Sequence, residues 1–127
     1  MVARRVINPP EGPKPLGPYS QAVEAGGFLF ISGQIPVDPS TGEVVSGGIR
    51  EQTRRVLENV KVLLRAAGYS LRDVVKVTVY LKDLSLFDEF NEEYSRCFPS
   101  EPPARTTVEV SSLPRGALLE LELVAFK

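Results

Sequence analysis

The sequence predicts an α+β fold of two layers, in which two helices cover one face of a mixed β-sheet. The first observation is the order of hydrophobic patterns along the chain: two or three strands, a helix, a strand, a helix and two strands. The second is that each helical segment carries a single apolar stripe, which needs a packing partner on one side only. The third is the length of 127 residues, which suits a single domain over residues 1–127.

The first part of the chain predicts a turn-rich segment followed by two short strands. Residues Asn8–Ser20, NPPEGPKPLGPYS, contain prolines that forbid a helix, and we call this segment the lead-in. The stretch QAVEAGGFLFISGQ then shows two strands joined at Gly26-Gly27, a dipeptide that can take the positive φ angles of a tight hairpin. PVDPSTGEVVSGG follows and is expected to form a loop.

The middle of the chain predicts a long helix and a strand. Residues Ile49–Ala67 repeat apolar side chains at three- and four-residue steps, and Gly68 is expected to end this helix. The next segment alternates with a period of two, as a strand does. This alternation assigns one face of the strand to Val75, Val77, Val79 and Leu81.

The second predicted helix is shorter. Ser85 and Asp88 resemble a capping box at its start, and Pro99 is expected to end it. Its apolar stripe consists of Phe87, Phe90, Tyr94 and Cys97. Cys97 lies on this stripe, so we interpret it as a core residue and not as a reactive thiol.

Two strands close the predicted sheet, Ala104–Val110 and Ala117–Phe126. Alternation along the last strand turns one set of side chains toward the helices and leaves on the other face Leu118, Glu120, Glu122, Val124 and Phe126. The preceding strand is expected to add Arg105, Thr107 and Glu109 to that second face. A face that mixes apolar and charged residues is expected where another subunit covers it, so the sequence predicts a homo-oligomer.

Composition excludes several classes of function. The chain has no histidine, which removes the commonest general base and zinc ligand, and Cys97 is its only cysteine, so no disulfide can form within it. A formal net charge of -1 gives no basic excess for nucleic acid, and no segment has the ~20 apolar residues needed to span a bilayer. We therefore expect a soluble, cytoplasmic protein that binds neither nucleic acid nor membrane.

An arginine at the start of a half-buried strand needs a partner, because arginine is rarely buried alone. Arg105, Thr107 and Glu120 are expected on one uncovered face of neighbouring strands. One interpretation is a cross-strand Arg–Glu ion pair, which contributes little at a surface. The other is that Arg105 binds an anionic ligand, and the spacing alone does not separate the two.

Five segments, in order along nearly the whole chain, resemble the Rid family, which is also called the YjgF-like or L-PSP family. They are GPYSQAV, FISGQIPVDPSTGEV, NVKVLLRAAG, VVKVTVYLKDLSLFDEFNEEY and PPARTTVEVSSLPRGALLELELVA. The resemblance implies a two-layer α+β fold similar to that of one class of chorismate mutase, and a homotrimer with its clefts between subunits. It also implies hydrolysis of reactive 2-imino acids, which pyridoxal-phosphate enzymes release as enamines, to 2-keto acids and ammonium.

The same resemblance implies roles for individual residues. Arg105 matches the family's carboxylate-binding arginine, and Glu120 matches the acidic residue that holds the attacking water. The positions that match the lining of the family's cleft are Tyr19, Ser32, Gly33 and Asn91. Thr107 stands where many active members have cysteine, so any thiol effect on rate or redox regulation should be absent here. Threonine keeps a short polar side chain, so Thr107 is still expected among the substrate-binding residues.

The residues themselves leave structural alternatives open. Tyr19 could cap the sheet edge, Asn91 could make a structural hydrogen bond beside the stripe of the second helix, and Ser32-Gly33 could be no more than a strand end and its turn. Glu122 points the same way as Glu120 and rivals it. Only the family motif favours Glu120.

The chemistry of the expected substrate agrees with these residues. A guanidinium fits a carboxylate at two points, and a positioned carboxylate can orient water and accept its proton. No metal or other cofactor is expected, because such imines already hydrolyse unaided. The alternative functions are a non-catalytic module that binds 2-keto acids, a chaperone-like protein and, less favoured because the chain is slightly acidic and lacks histidine, an endoribonuclease that inhibits translation.

Overall fold

The computed structural model describes residues 3–127 and shows six strands and two helices. The strands are β1 Arg4–Ile7, β2 Ala22–Ala25, β3 Phe28–Gln34, β4 Val74–Leu81, β5 Ala104–Glu109 and β6 Leu119–Phe126, and the helices are α1 Ile49–Ala67 and α2 Phe87–Cys97. The strand order across the sheet is β1-β2-β3-β6-β4-β5. Only β4 and β5 are parallel, so the sheet is mixed as predicted.

The core lies between the sheet and the two helices, which confirms the two-layer α+β prediction. One continuous cluster joins the stripe of α1, including Val56, Val60 and Leu63, to sheet residues such as Val77 and Leu121, all almost fully buried. Burial of each such side chain contributes about 1.5–3 kcal/mol to folding. No helix within residues 3–127 is both long enough and apolar enough to cross a membrane.

Helix α1 has the predicted bounds, and its two ends show why. The Glu51 carboxylate accepts a hydrogen bond of 2.8 Å from the Gly48 N–H at the first turn, which satisfies a backbone donor that has no partner inside a helix. Gly68 takes a left-handed φ of 86° directly after the helix, a conformation that costs glycine little. The predicted hairpin is also confirmed, since Gly26 and Gly27 have φ of 58° and 87° between β2 and β3.

Helix α2 begins later than the predicted cap. Asp83, and not the predicted pair of Ser85 and Asp88, caps this region, because the Asp83 carboxylate accepts a 2.8 Å hydrogen bond from the Ser85 N–H. That bond starts a 3₁₀ turn over Leu84–Leu86, and α2 follows at Phe87. Phe90 and Tyr94 are buried as predicted, whereas Phe87 at the first position is 37% exposed.

The prediction that four residues of β4 share one buried face is wrong for one of them. Val75 is 47% exposed, whereas Val77, Val79 and Leu81 are fully buried and Val74 is nearly so. The pairing with β6 shifts register between Val74 and Lys76. Such a bulge interrupts the alternation of faces, which a strict period of two in the sequence cannot reveal.

Two predictions for β5 are also wrong: the strand next to it in the sheet, and the face of the sheet to which its side chains point. β4 lies between β5 and β6, so the last two strands are not adjacent. Arg105 pairs with Val77 and Thr107 with Val79, and both partners are buried beneath the helices. Paired residues share a face of a sheet, so Arg105, Thr107 and Glu109 belong to the helix-covered face.

The opposite face of the sheet is uncovered in the single chain. Phe28, Phe30 and Phe126 are 43%, 49% and 49% exposed there, and the ring centroids of Phe28 and Phe126 are 4.8 Å apart. Glu120 and Glu122 share this face with Tyr80 of β4, as the pairing register requires. We name it the open face.

Candidate active site

The candidate residues form two groups, and the first surrounds Glu120. A cavity of about 520 Å³ is lined by Leu16, Tyr19, Ser32, Gly33, Ile35, Pro114 and Glu120. We call it the Glu120 pocket. Four of the residues predicted from the sequence thus meet at one place, although they come from the lead-in, β3 and β6. Leu16, Ile35 and Pro114 were not predicted, and they give the pocket an apolar wall.

Gly33 is explained by its contact with Glu120. The pairing of β3 with β6 shifts between Ile31 and Gln34, so Ser32 and Gly33 form a bulge. A Cβ atom at Gly33 would lie 1.8 Å from a carboxylate oxygen of Glu120, so any side chain there would force the Glu120 carboxylate to move. Glycine at this position therefore permits close approach of the Glu120 side chain to the backbone.

The structure distinguishes Glu120 from its rival Glu122. Burial raises the pKa of Glu120, and the negative charge of Glu122 raises it further. Glu122 is exposed and accepts a short hydrogen bond from the Tyr80 hydroxyl. Within residues 3–127, no side chain or backbone N–H donates a hydrogen bond to the Glu120 carboxylate. Glu120 is therefore the carboxylate that remains available to orient a water molecule.

Hydrogen bonds fix the polar walls of the Glu120 pocket. The Leu16 N–H donates to the Tyr19 hydroxyl over 3.0 Å, which leaves the tyrosine proton free to be donated elsewhere. The Ser32 hydroxyl donates to the Ser20 carbonyl over 2.6 Å. Ser32 can consequently accept a further hydrogen bond at its oxygen, but its proton is already engaged.

The second group surrounds Arg105 on the helix-covered face. Its Nη2 donates to Asn91 Oδ1 on α2 over 2.7 Å. The guanidinium also lies over three rings, at 5.6, 5.3 and 4.7 Å from the centroids of Phe87, Phe90 and Tyr94. These distances are within the range of cation–π attraction, so the arginine is held in place before any ligand binds. We call these five residues the Arg105 cluster.

Two buried hydroxyl groups belong to the same region. Thr107 Oγ1 and the Tyr94 hydroxyl are buried and have no hydrogen-bond partner within the described chain. Burial raises the pKa of Tyr94 to about 12, which keeps its proton in place at neutral pH. The bond between Asn91 and Arg105 also answers a question that the sequence left open. Asn91 makes a structural hydrogen bond, and its partner is the candidate ligand-binding arginine.

The two groups do not converge within one chain. Arg105 projects from the helix-covered face of β5, whereas Glu120 projects from the open face of β6, with β4 between these strands. The prediction that Arg105, Thr107 and Glu120 share one face is thus wrong. An intrachain Arg105–Glu120 ion pair is excluded by the same geometry, since the sheet separates the two side chains. A site containing both groups requires a second copy of the chain.

The sequence predicts an apolar stripe on α2, and the structure shows that three rings of this stripe also lie under Arg105. The available signal was their spacing, because Phe87, Phe90 and Tyr94 are three or four residues from Asn91 or from one another on α2. Which strand α2 packs against depends on contacts far apart in sequence. That information is missing from helical periodicity alone.

Known proteins resemble this chain over nearly its whole length. A profile of the family described as Endoribonuclease L-PSP matches residues 10–127. A RutC family protein of Pyrococcus horikoshii is 59% identical over 124 residues, covering 98% of this chain and 98% of that protein. The 2-iminobutanoate/2-iminopropanoate deaminase of Homo sapiens is 45% identical over 124 residues, covering 98% of this chain and 90% of that protein.

A solved structure agrees with these sequence comparisons. YyfA of Yersinia pestis, described as a protein of unknown function of the conserved Rid family, superposes with a TM-score of 0.95 and 42% identity, covering 98% of this chain and 100% of that one. The fold, the family profile and the relatives together define the class. The chain belongs to the Rid family, also known as the L-PSP family.

Proposed function

We propose that this protein hydrolyses 2-imino acids to 2-keto acids and ammonium. The observation that carries the proposal is that the Arg105 cluster and the Glu120 pocket offer two different chemical groups, a cation and a carboxylate. The Arg105 cluster presents a fixed cation that suits a carboxylate, and the Glu120 pocket presents a half-buried carboxylate with a raised pKa. The name of the human relative, 2-iminobutanoate/2-iminopropanoate deaminase, supports the same reaction.

The site is proposed to form between copies of the chain. Arg105 and Asn91 of one copy would face Tyr19, Ser32, Gly33 and Glu120 of another, and Thr107 would lie beside the arginine. The apolar side chains on the open face support association, because exposed patches of this kind mark interfaces. We propose a homotrimer, the assembly that the family resemblance implies.

The proposed reaction follows from these positions. Arg105 binds the substrate carboxylate, which places the electrophilic carbon of the protonated imine near Glu120. Glu120 accepts a proton from water while the water oxygen bonds to that carbon, and the C=N π electrons move onto nitrogen. Glu120 then returns the proton to the nitrogen of the tetrahedral intermediate. The C–N bond breaks, ammonia leaves and takes up the proton given by the new carbonyl group, which yields ammonium and the keto acid.

A direct assay tests the proposal. An amino-acid oxidase or a threonine dehydratase generates the imine, and its loss is followed with the wild-type protein, Arg105→Ala and Arg72→Ala as a matched control at an exposed arginine. We expect Arg105→Ala to lose at least about 100-fold in kcat/KM, because a buried bidentate contact to carboxylate contributes about 3 kcal/mol. Arg72→Ala is expected to match the wild type.

Two results would contradict the proposal. One is equal hydrolysis by the wild type and Arg105→Ala. The other is calorimetric binding of 2-ketobutyrate by a wild-type protein that turns over no imine. That result would favour the non-catalytic binding module instead.

A further inference from the structure

Two buried glutamines lie behind the Glu120 pocket. Gln21, next to the start of β2, is 3% exposed, and Gln34, at the end of β3, is 2% exposed. Neither residue lines the Glu120 pocket. A buried amide is costly unless hydrogen bonds satisfy it, so the partners of these two side chains indicate what they do.

The glutamines connect three segments through side-chain hydrogen bonds. Gln34 Nε2 donates to Gln21 Oε1 over 2.6 Å and to the Ser32 carbonyl over 3.0 Å. Gln21 Nε2 donates in turn to the Pro13 carbonyl over 3.1 Å. We name this chain of bonds the glutamine relay. It links the bulge of β3 to the start of β2 and to the lead-in.

Both ends of the relay meet segments that form the pocket. Ser32 and Gly33 form the bulge, and Leu16 and Tyr19 belong to the lead-in. Strand pairing is interrupted at a bulge, so its backbone groups need other partners. The Ser32 carbonyl finds that partner in Gln34, and the Ser32 N–H donates to the Gln21 carbonyl over 2.9 Å.

The bulge in turn restricts the position of the Glu120 carboxylate. The carboxylate lies so close to Gly33 that even one added carbon atom would collide with it. A small displacement of Gly33 therefore changes where the carboxylate can lie and how much water reaches it. The relay controls this displacement because it fixes the carbonyl directly before Gly33.

We propose that Gln34, supported by Gln21, is a positioning residue for Glu120, acting through the Ser32-Gly33 bulge. The inference deepens the proposed function and rests on it for the activity measurement only. Gln34 does not itself line the Glu120 pocket, and it contacts the bulge through the Ser32 carbonyl. Its effect passes through the backbone.

Loosening the bulge should admit water to Glu120. The titratable groups that face Glu120 are Glu122 on its own strand, Tyr80 on β4 and Tyr19 on the lead-in. Since burial is the main cause of the raised pKa of Glu120, greater exposure lowers that pKa toward its ordinary value. Glu120 acts as a base in its ionised form, so the acid limb of activity should move to lower pH.

The experiment compares Gln34→Met with Asn59→Leu. Methionine keeps the length of glutamine but donates no hydrogen bond. Asn59 is an equally buried amide whose Nδ2 donates to the Val37 carbonyl over 2.8 Å and which makes no hydrogen bond to the Ser32-Gly33 bulge. The measurements are the Glu120 titration by carboxyl ¹³C NMR, the melting temperature, and kcat and KM for imine hydrolysis across pH.

We expect Gln34→Met to lower the pKa of Glu120 and to reduce kcat about tenfold with KM nearly unchanged, because small displacements of a catalytic group are costly to the rate. Asn59→Leu should lower the melting temperature without either effect. A Glu120 titration and a kcat in Gln34→Met that match those of Asn59→Leu would overturn the proposal.

If Gln34→Met does not fold, a second variant provides the test. Gln21→Met keeps the hydrogen bond from Gln34 to the Ser32 carbonyl and removes the acceptor that holds the Gln34 amide in place. We therefore expect the same changes at smaller size. An unchanged Glu120 titration in Gln21→Met would overturn the proposal. The NMR titration needs no activity. A wild-type protein without imine hydrolysis would therefore defeat the proposed function, while the titration would still decide the role of Gln34.

Discussion

The contact between Gly33 and the Glu120 carboxylate closely restricts the geometry of the candidate site. Gly33 does not take a positive φ, unlike the turn glycines 26, 27, 42, 47, 68 and 116. Its requirement for glycine comes from the carboxylate that lies against its backbone. A change at Gly33 should therefore act on Glu120 more than on the stability of the chain.

We predict that Gly33→Ala reduces imine hydrolysis at least about tenfold, because the new methyl group must displace the Glu120 carboxylate. Gly48→Ala is the control, since a Cβ atom there would meet its nearest neighbour at an ordinary 3.7 Å. Steady-state kinetics and thermal melts of both variants provide the measurement. Full activity in Gly33→Ala would show that the carboxylate position is unimportant.

Helix α2 is held against α1 by a buried carboxylate. The Glu93 side chain is 2% exposed and accepts hydrogen bonds of 3.0 and 2.8 Å from Arg54 Nε and Nη2. Arg50 and Arg96 lie 3.8 and 3.6 Å away. Because α2 also carries Asn91 and the rings of the Arg105 cluster, this ion pair fixes the helix that positions Arg105.

We predict that Glu93→Gln lowers the free energy of unfolding by about 2 kcal/mol at neutral pH, the contribution of hydrogen bonds to a charged group. Hydrogen bonds from Arg54 lower the pKa of Glu93 in the folded protein. The stabilisation is therefore complete above the ordinary glutamate pKa and is lost as pH falls through the lowered folded value.

Urea unfolding at fixed protein concentration, at neutral and at strongly acidic pH, tests this prediction. The difference between wild type and Glu93→Gln should shrink in acid. Glu58→Gln is the control, because Glu58 forms an exposed pair with Lys61 and should have almost no effect. A difference that does not change with pH would contradict the role assigned to the ion pair.

Elements with strong local signals could be predicted from the sequence. The bounds of α1 follow from its apolar stripe and from Gly68, and the β2–β3 hairpin follows from Gly26-Gly27. Strand β1 was not predicted, because its four residues lie at the sheet edge and three of them are exposed. In β5 the apolar residues Ala104 and Val108 lie on the exposed face, whereas Arg105 lies on the helix-covered face, so apolar alternation predicts the wrong facing.

The sequence could nominate the candidate residues of the site but not their arrangement. The family motif indicated Tyr19, Ser32, Gly33, Asn91, Arg105, Thr107 and Glu120, and the structure places all of them in the Glu120 pocket or beside Arg105. The separation of Arg105 from Glu120 depends on β4 entering between the last two strands. Strand order is set by long-range packing, which motif spacing does not encode.

The proposed site requires two chains. Arg105 and Glu120 point away from opposite faces of one sheet. Exposed aromatic side chains on the open face, including Phe28, Phe30 and Phe126, offer a surface for association. The dependence of the proposed activity on assembly can be tested without a structure of the assembly.

We predict that Arg105→Ala and Glu120→Gln, each inactive alone, restore activity when refolded together. If each site takes its arginine from one copy and its glutamate from another, random mixing in equal amounts restores about a quarter of the sites. Imine hydrolysis by the mixture provides the measurement, and native mass spectrometry verifies that mixed assemblies form. Mixed assemblies without activity would contradict a site shared between chains.

Arg105 is already immobilised by Asn91 and by the rings beneath it before any ligand arrives. A long, flexible side chain normally loses much rotational freedom when it captures an anion, but here that loss has been incurred during folding. Capture of a small carboxylate should therefore need little rearrangement, which would suit the proposed reaction, because its substrate survives only briefly in water.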